Sequence, residues 1–419
     1  MKENKKLEFK SEITNTFLKT VSAFSNYDGG TILFGVEDSG KVTGLNNINQ
    51  KCLEIENKIN DSIRPQPDYT LSVEESGKVI ALRVNPGRNT PYLYKSKAYK
   101  RNDTATIEVD HFELNRLILK GENKEYEELH TANQNLTFEF LAKKLKEKSG
   151  IESFNHDVLK TLELYSDNNG FNNAADILSD NSSFPGIDVA RFGESINIFL
   201  KRKTFEHQSI LKSYYDSLEM YRDYYQYEEI DGSDRKTVST IPEEAFREAV
   251  ANAIVHRTWD VQAHIRISMF DDHIEILSVG GLPDGIDKNE YLEGKFSVPR
   301  NPILANVFHR LDLIEKFGTG IRRIIQSYSN SQSKPSFQIS DNYIQVNLPL
   351  IQKQSNLTND ERIIYNLLSK NVKKSMSEIM SSSSLKFGKS KTNELLKKME
   401  EKGAVVIEGT GRGTKYRLR

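Results

Sequence analysis

A chain of 419 residues is too long for one compact core and, at roughly 100–200 residues per domain, divides into three or four. Hydrophobic residues make up 37% and charged residues 28%, which supplies material for sizeable cores and excludes general disorder. The single cysteine, Cys52, excludes a disulfide framework or a cysteine-based zinc site within one chain, and a formal net charge of −1 confines any nucleic-acid surface to local patches.

No run of about 18 apolar residues exists to span a bilayer, and the start MKENKKLEFK lacks the apolar core of a signal peptide. A cytoplasmic protein without a membrane partner is expected. Residues 1–111 read as mixed α and β. An amphipathic stretch, Ile13 to Phe24, leads into the turn cluster Asn26-Tyr27-Asp28-Gly29-Gly30 and the β-rich run Thr31 to Val36. The turn Glu37-Asp38-Ser39-Gly40 predicts a hairpin with a return strand at Val42 to Leu45. A helix over Leu53 to Ile63 is stopped by Pro65 and Pro67, and strands follow near Leu71–Val73 and Val79–Val84.

Residues 112–235 read as a helical connector, with Leu136 to Leu145 and Ile210 to Tyr225 as the clearest amphipathic stretches and a charged turn at Glu228–Lys236. Residues 236–352 return to α/β: a helix over Pro242–His256, strands at Ala263–Phe270 and His273–Leu277, helices near Pro302–Leu311 and Gly320–Ser327, and a strand at Ile344–Leu350. A polar linker precedes a last domain over residues 357–419.

Glu248, Asn252 and His256 recur every four residues, so their side chains share one face of a helix whose other side is Ala249, Val250, Ala253 and Ile254. The stripe is either a solvated polar face or the wall of a cleft. Downstream come Gly280-Gly281-Leu282-Pro283-Asp284-Gly285, then Arg300-Asn301-Pro302, then Gly318-Thr319-Gly320 directly before a helical pattern. Backbone N–H groups of a glycine-rich turn that feeds a helix N-terminus form an anion site suited to phosphates.

This order resembles the GHKL ATPase superfamily of gyrase, heat-shock chaperones, mismatch-repair proteins and histidine kinases. The helix REAVANAIVHR is similar to its N box, which implies ATP and Mg²⁺ as cofactors. Asn252 then stands in the place of the metal-coordinating Asn, and Glu248 in that of the acid that activates water. His256, Gly280, Gly281, Gly318, Thr319 and Gly320 are the further candidate nucleotide contacts. The chain departs from the family at the first glycine box: Ser278-Val279 precede Gly280-Gly281 where the family has an Asp that accepts from the adenine amino group. Whether ATP is hydrolysed or only bound stays open.

The run Leu7-Glu8-Phe9-Lys10, Val21 to Asn26, Gly29-Gly30, Phe34-Gly35-Val36 and Gly40, with Arg101 near the end, resembles the Schlafen AlbA-2 domain over residues 3–110. Together with the GHKL-like part it is similar to a prokaryotic family of ATP-binding transcriptional regulators, some of them labelled RecG-like helicases. No G-x-x-x-x-G-K-[ST] loop is present, so the helicase label is rejected. The resemblance to Schlafen nucleases implies a second possibility. Glu3, Glu8 and Asp38 would hold Mg²⁺ or Mn²⁺, with Lys10 assisting, while Glu37-Asp38-Ser39-Gly40 is also an ordinary turn.

The last segment predicts helices over Asn359–Lys370, Ser375–Met380 and Ser390–Lys402 and then a hairpin, the pattern of a winged helix-turn-helix. Lys389, Lys391, Lys397, Arg412 and Lys415 are its candidate nucleic-acid contacts, with a domain used only for protein contacts as the alternative. The expected fold class is α+β and multidomain: an AlbA-2 domain, a helical connector, a GHKL-like α/β sandwich and a winged helix. The expected function is nucleotide-controlled binding of DNA or RNA as a transcriptional regulator, in a homo-oligomer. The alternative is a metal-dependent ribonuclease that cleaves tRNA or other RNA in anti-phage defence, gated by the ATP-binding domain.

Overall fold

The computed structural model describes residues 2–74, 78–150, 153–231, 234–283, 286–294, 298–315, 318–329, 331–351, 357–369, 372–382, 387–409 and 411–418, with Asp231, Asp234 and Arg412 described in their backbone alone. The chain forms two compact units, Met1–Thr131 and Ala132–Arg419.

Unit one is built on a four-stranded sheet in the order Leu7–Lys10, Gly30–Phe34, Ile80–Val84, Tyr69–Val73. The first pair is parallel and the others antiparallel. Phe17, Val21 and Phe24 fall on one face of the helix Phe17–Asn26 and meet Ile32 and Phe34, which alternate along their strand, in one buried core with Ile55 and Ile59 of the helix Ile48–Ser62. The return strand expected at Val42–Leu45 does not form. Val42 makes only an isolated bridge to Val36 and is 57% exposed. Both sides of Gly30–Phe34 are already taken, and Gly35, at φ +90°, turns the chain out of the sheet into a loop closed by the Thr43 and Gly44 N–H groups on the Gly35 carbonyl. The helix His111–Glu122 still belongs to this unit: Asp110 caps it by accepting from the Glu113 N–H at 2.8 Å.

Unit two holds a six-stranded sheet in the order Phe199–Phe205, Ile187–Phe192, Ile265–Met269, His273–Val279, Tyr343–Pro349, Ser336–Ile339. Its first two strands come from the stretch expected to be a helical connector. That expectation is corrected: Ile187 and Val189 alternate into the core, and Ile187–Phe192 pairs in parallel with Ile265–Met269, a partner more than seventy residues away. Local periodicity carries no trace of such a pairing. Arg257 fixes it. Its buried guanidinium donates to the carbonyls of Pro185 and Val261, each at 2.9 Å, and of Ala263, and it lies 4.2 Å from the Trp259 ring centroid. Burial lowers its pKa to about 10, so it stays a cation. The charged segment Glu228–Lys236, expected as a turn, lies within a hairpin of strands Gln226–Asp231 and Asp234–Ser239.

Helix Glu243–Val255 carries Glu243 and Glu244 in its first turn, where carboxylates suit the helix dipole, and buries Phe246, Ala249, Val250, Ala253 and Ile254. It packs against the strands His273–Val279 and Tyr343–Pro349 and against the helices Pro302–Arg310 and Gly320–Ser327. Helix Ile210–Tyr225 joins the same core through Tyr221, stacked on Phe246 with centroids 4.5 Å apart. The C-terminal segment has helices Asn359–Leu367, Met376–Met380 and Lys389–Glu401 around Ile364, Ile379, Leu396 and Met399, beside a three-stranded sheet in the order Lys374–Ser375, Lys415–Leu418, Val405–Glu408. No helix among the described residues is long and apolar enough to cross a membrane.

Candidate functional site

A cavity of about 390 Å³ opens in unit two between three helices: Glu243–Val255, Pro302–Arg310 and Gly320–Ser327. Glu248, Asn252 and His256 all line it, so the polar stripe faces a cleft and not the solvent. Gly320, at the start of the third helix, and Gly318, just before it, line the cavity on one side, and Pro302, Ala305 and Asn306 line it from the second helix. Glu163, Tyr291 and Glu315, which the sequence did not single out, complete the wall with Pro283 and Ile286. They come from separate segments with no shared motif, so only the tertiary structure reveals them.

Glu248 is 6% exposed, and burial raises its carboxyl pKa against the opposing pull of Arg323 and of Asn252, whose Nδ2 donates to Glu248 Oε1 at 3.4 Å. Burial, with the Arg300 guanidinium, pushes His256 down to about 4, so the imidazole is neutral at physiological pH. Its Nδ1 and the Thr319 hydroxyl are buried without a hydrogen-bond partner among the described residues. Burial pushes the Tyr291 phenol up to about 12, which keeps it a neutral donor at the wall. A Cβ on Gly320 would come within 2.2 Å of Glu248 Oε1, so glycine lets the start of this helix sit against the carboxylate without displacing it.

The first glycine pair is placed differently from expectation. Gly280 and Gly281 do not line the cavity: the space a Cβ would need is filled by Thr258 and Arg300 at Gly280 and by the Ser340 and Asp341 carbonyls at Gly281. They are close-packing positions, and the Ser278 hydroxyl is spent on the Ala253 carbonyl at 2.7 Å. Asp284 and Gly285 lie outside the described residues. Arg300 and Asn301 brace the site from behind: Arg300 donates to Thr258 and to the Gly281 carbonyl, and Asn301 Nδ2 donates to the carbonyls of Val255 and Arg257, each at 2.8 Å. They tie the end of the Glu248 helix to the start of Pro302–Arg310.

In unit one the three carboxylates are not brought together. Glu3 Oε1 accepts from the Phe9 N–H at 2.7 Å, Asp38 lies exposed in its turn, and Glu8 is buried in ion pairs with Lys10, at 2.5 Å, and Arg101. Among the described residues no group of three His, Cys, Asp or Glu side chains is arranged to hold a metal ion. Arg101 is held in turn by Thr106 Oγ1 at 2.9 Å and the Asn4 carbonyl at 3.2 Å.

In the C-terminal segment Lys389, Lys391 and Lys397 are exposed on the helix Lys389–Glu401, but Lys391 is paired with Asp360. Lys415 reaches Glu378 at 3.6 Å. The side chain of Arg412 lies outside the described residues.

Residues 3–110 match the family model described as "Schlafen, AlbA_2", and residues 262–348 match one described as "Putative ATP-dependent DNA helicase recG C-terminal", a HATPase-type model. The chain therefore carries a Schlafen AlbA_2 module at its N-terminal side and a HATPase-like module in unit two, an association with nucleic acid and with ATP. The second match begins after the helix that bears Glu248 and Asn252. Among solved structures, the DIP2311 protein from Corynebacterium diphtheriae is similar in fold, with a TM-score of 0.50 at 18% identity over 99% of this chain and 92% of that one. No curated protein matches the chain.

Proposed function

We propose that this protein binds nucleic acid under the control of a nucleotide, with Mg-ATP held in the unit-two cavity and DNA or RNA held by the AlbA_2 module and the C-terminal segment. The observation that carries the proposal is the convergence of Glu248, Asn252, Gly318 and Gly320 on one cavity of suitable size. The residues fit a GHKL-type site. A glycine opens the start of an eight-residue helix, whose N–H groups suit phosphate oxygens, and buried polar atoms at His256 and Thr319 have no hydrogen-bond partner among the described residues.

Asn252 spends Nδ2 on Glu248 and so keeps its amide oxygen for a hard cation such as Mg²⁺. Mg-ATP, when bound, supplies a phosphoanhydride whose negative charge the cation masks. Glu248, made more basic by burial, is suited to accept the proton of an attacking water, and Asn252 and Arg323 orient and moderate it. The absence of an acidic partner before Gly280-Gly281, with Ser278 already engaged, gives the base a different reader from the GHKL family's aspartate.

Three helices followed by a small sheet support the winged-helix reading of the C-terminal segment, and a regulator that grips DNA there follows from its exposed lysines. The ribonuclease reading draws less support, because both oxygens of Glu8 are occupied by Lys10 and Arg101. A helicase motor has no P-loop in this sequence on which to run. Calorimetric titration of Mg-ATP into the full chain tests the proposal. Saturable binding that needs Mg²⁺ and weakens about tenfold in Asn252→Ala supports it. No binding, or equal affinity in the variant, refutes the site.

A further inference from the structure

Glu163 lies before the HATPase-like match and away from the Glu248 helix, yet it lines the same cavity. It follows the short helix His156–Thr161, which closes with the Glu163 N–H on the Lys160 carbonyl at 3.0 Å and the Leu164 N–H on the Leu159 carbonyl at 2.9 Å, Leu159 and Leu164 both being buried. These two bonds define a Schellman ending, whose left-handed residue is usually glycine. Glu163 occupies that place at φ +60°. At the other left-handed helix endings among the described residues the chain uses Asn123, Gly150, Gly294, Asp312 and Gly403, residue types for which the conformation is cheap.

Among the described residues the fold makes no use of the Glu163 side chain. Its carbonyl is pinned by Asn172 Nδ2 at 2.7 Å, while its exposed carboxylate has no hydrogen bond or ion pair among the described residues. Of the three carboxylates that line the cavity among the described residues, Glu248 is engaged by Asn252 and Glu315 by Arg323 at 3.1 Å. Glu163 is left. A strained, unpaired side chain held at a cavity wall is the kind of outlier from which function is inferred.

We propose that Glu163 is a nucleotide-selecting residue, its carboxylate accepting a hydrogen bond from the nucleoside half of the bound nucleotide. The inference rests on the nucleotide reading of the cavity. A carboxylate facing the phosphates would repel them, and the helix N-terminus at Gly320 already supplies their donors. What remains for an acceptor is a neutral donor, a ribose hydroxyl or the base amino group. The segment ahead of the HATPase-like module thereby reads which nucleoside is bound.

The test titrates Mg-ATP and its 2′-deoxy, 3′-deoxy and inosine analogues into the wild-type full chain and into Glu163→Gln, and measures thermal unfolding of nucleotide-free Glu163→Gly. Glu163→Gln keeps an acceptor oxygen but loses its charge, and is expected to weaken Mg-ATP about tenfold, the charge-assisted share of one hydrogen bond. The analogue that lacks the contacted donor should bind the wild type about that much more weakly and lose nothing further on substitution. Glu163→Gly should raise the melting temperature and weaken Mg-ATP equally. The proposal is overturned by unchanged Mg-ATP affinity in Glu163→Gln, by a full additional loss with all three analogues, or by a lower melting temperature in Glu163→Gly. Failure of every triphosphate to bind the wild type brings down the nucleotide reading and this proposal with it, whereas normal wild-type binding that ignores Glu163 brings down this proposal alone.

Discussion

Gly320 stands against Glu248: a Cβ added to the glycine would lie 2.2 Å from the carboxylate Oε1 and 2.8 Å from the neighbouring Asn252 Nδ2. The start of one helix, the carboxylate and the amide of another are thus held in one patch, and a side chain at position 320 would have to displace the Glu248 carboxylate and the Asn252 amide. Gly320→Val is expected to lower Mg-ATP affinity by at least about 100-fold, because the added branched carbon fills the phosphate approach. Equilibrium dialysis with radiolabelled ATP checks this, and circular dichroism checks that the variant is folded.

Glu248→Gln should separate binding from turnover. The amide fits the same space and keeps a partner for Asn252, but it cannot take a proton. Any phosphate release shown by the wild type is expected to fall about 100-fold or more in the variant while ATP affinity stays within a few-fold. Phosphate release that persists unchanged would remove Glu248 from the chemistry.

His256 makes the stability of unit two depend on pH. Its folded pKa, about 4, lies below the ordinary value of 6.5, so between those values the unfolded chain binds the extra proton and the folded chain does not. Stability is therefore constant above about pH 6.5, falls as the pH drops towards 4, and levels off below it with respect to this group. The loss amounts to up to about 3 kcal/mol. Urea unfolding of wild type and His256→Gln across this range measures it, and the variant should show a shallower fall.

Binding of nucleic acid by the C-terminal segment should depend most on Lys389 and Lys397, which are exposed and unpaired among the described residues, and less on Lys391, which Asp360 already neutralises. Replacing Lys389 and Lys397 by Ala is expected to reduce the slope of log K against log salt by about 2, one unit per lost phosphate contact. Replacing Lys391 alone should change it less. Equal slopes in all variants would favour a segment that contacts proteins.

Arg101→Ala would strand the buried Glu8 with Lys10 as its one remaining cation. A stability loss on the order of 3 kcal/mol is expected, since an ion pair broken from one side leaves a buried charge without its compensation. Chemical denaturation followed by the unit-one tyrosines reads it. A loss below about 0.5 kcal/mol would show that the pair contributes no more than one held in solvent.

Much of the architecture was legible because local signals agreed with it. The run Ile210 to Tyr225 shows helical periodicity from end to end and forms a helix over the same residues, and Gly318-Thr319-Gly320 announces the helix that begins at Gly320. The stripe Glu248, Asn252, His256 was visible for the same reason: spacing along one helix is a local property. What was hidden is what distant segments do to one another. Ile187–Phe192 becomes a sheet strand through Ile265–Met269, and the loop after Gly35 forms no hairpin strand because Leu7–Lys10 and Ile80–Val84 occupy both edges of the central strand. Gly280 and Gly281 read as nucleotide contacts, yet Thr258 and Arg300, then Ser340 and Asp341, explain why glycine is needed there. Glu163, finally, gave no sign in the sequence, since a left-handed helix ending written with glutamate has no motif.

Control of the grip on nucleic acid by the nucleotide cavity is read most directly from the dissociation constant of a labelled DNA or RNA for the full chain with and without saturating Mg-ATP. At least about a fivefold difference is expected, a coupling on the order of 1 kcal/mol, that vanishes in Gly320→Val. Identical dissociation constants with and without Mg-ATP in a protein shown to bind both ligands would contradict it.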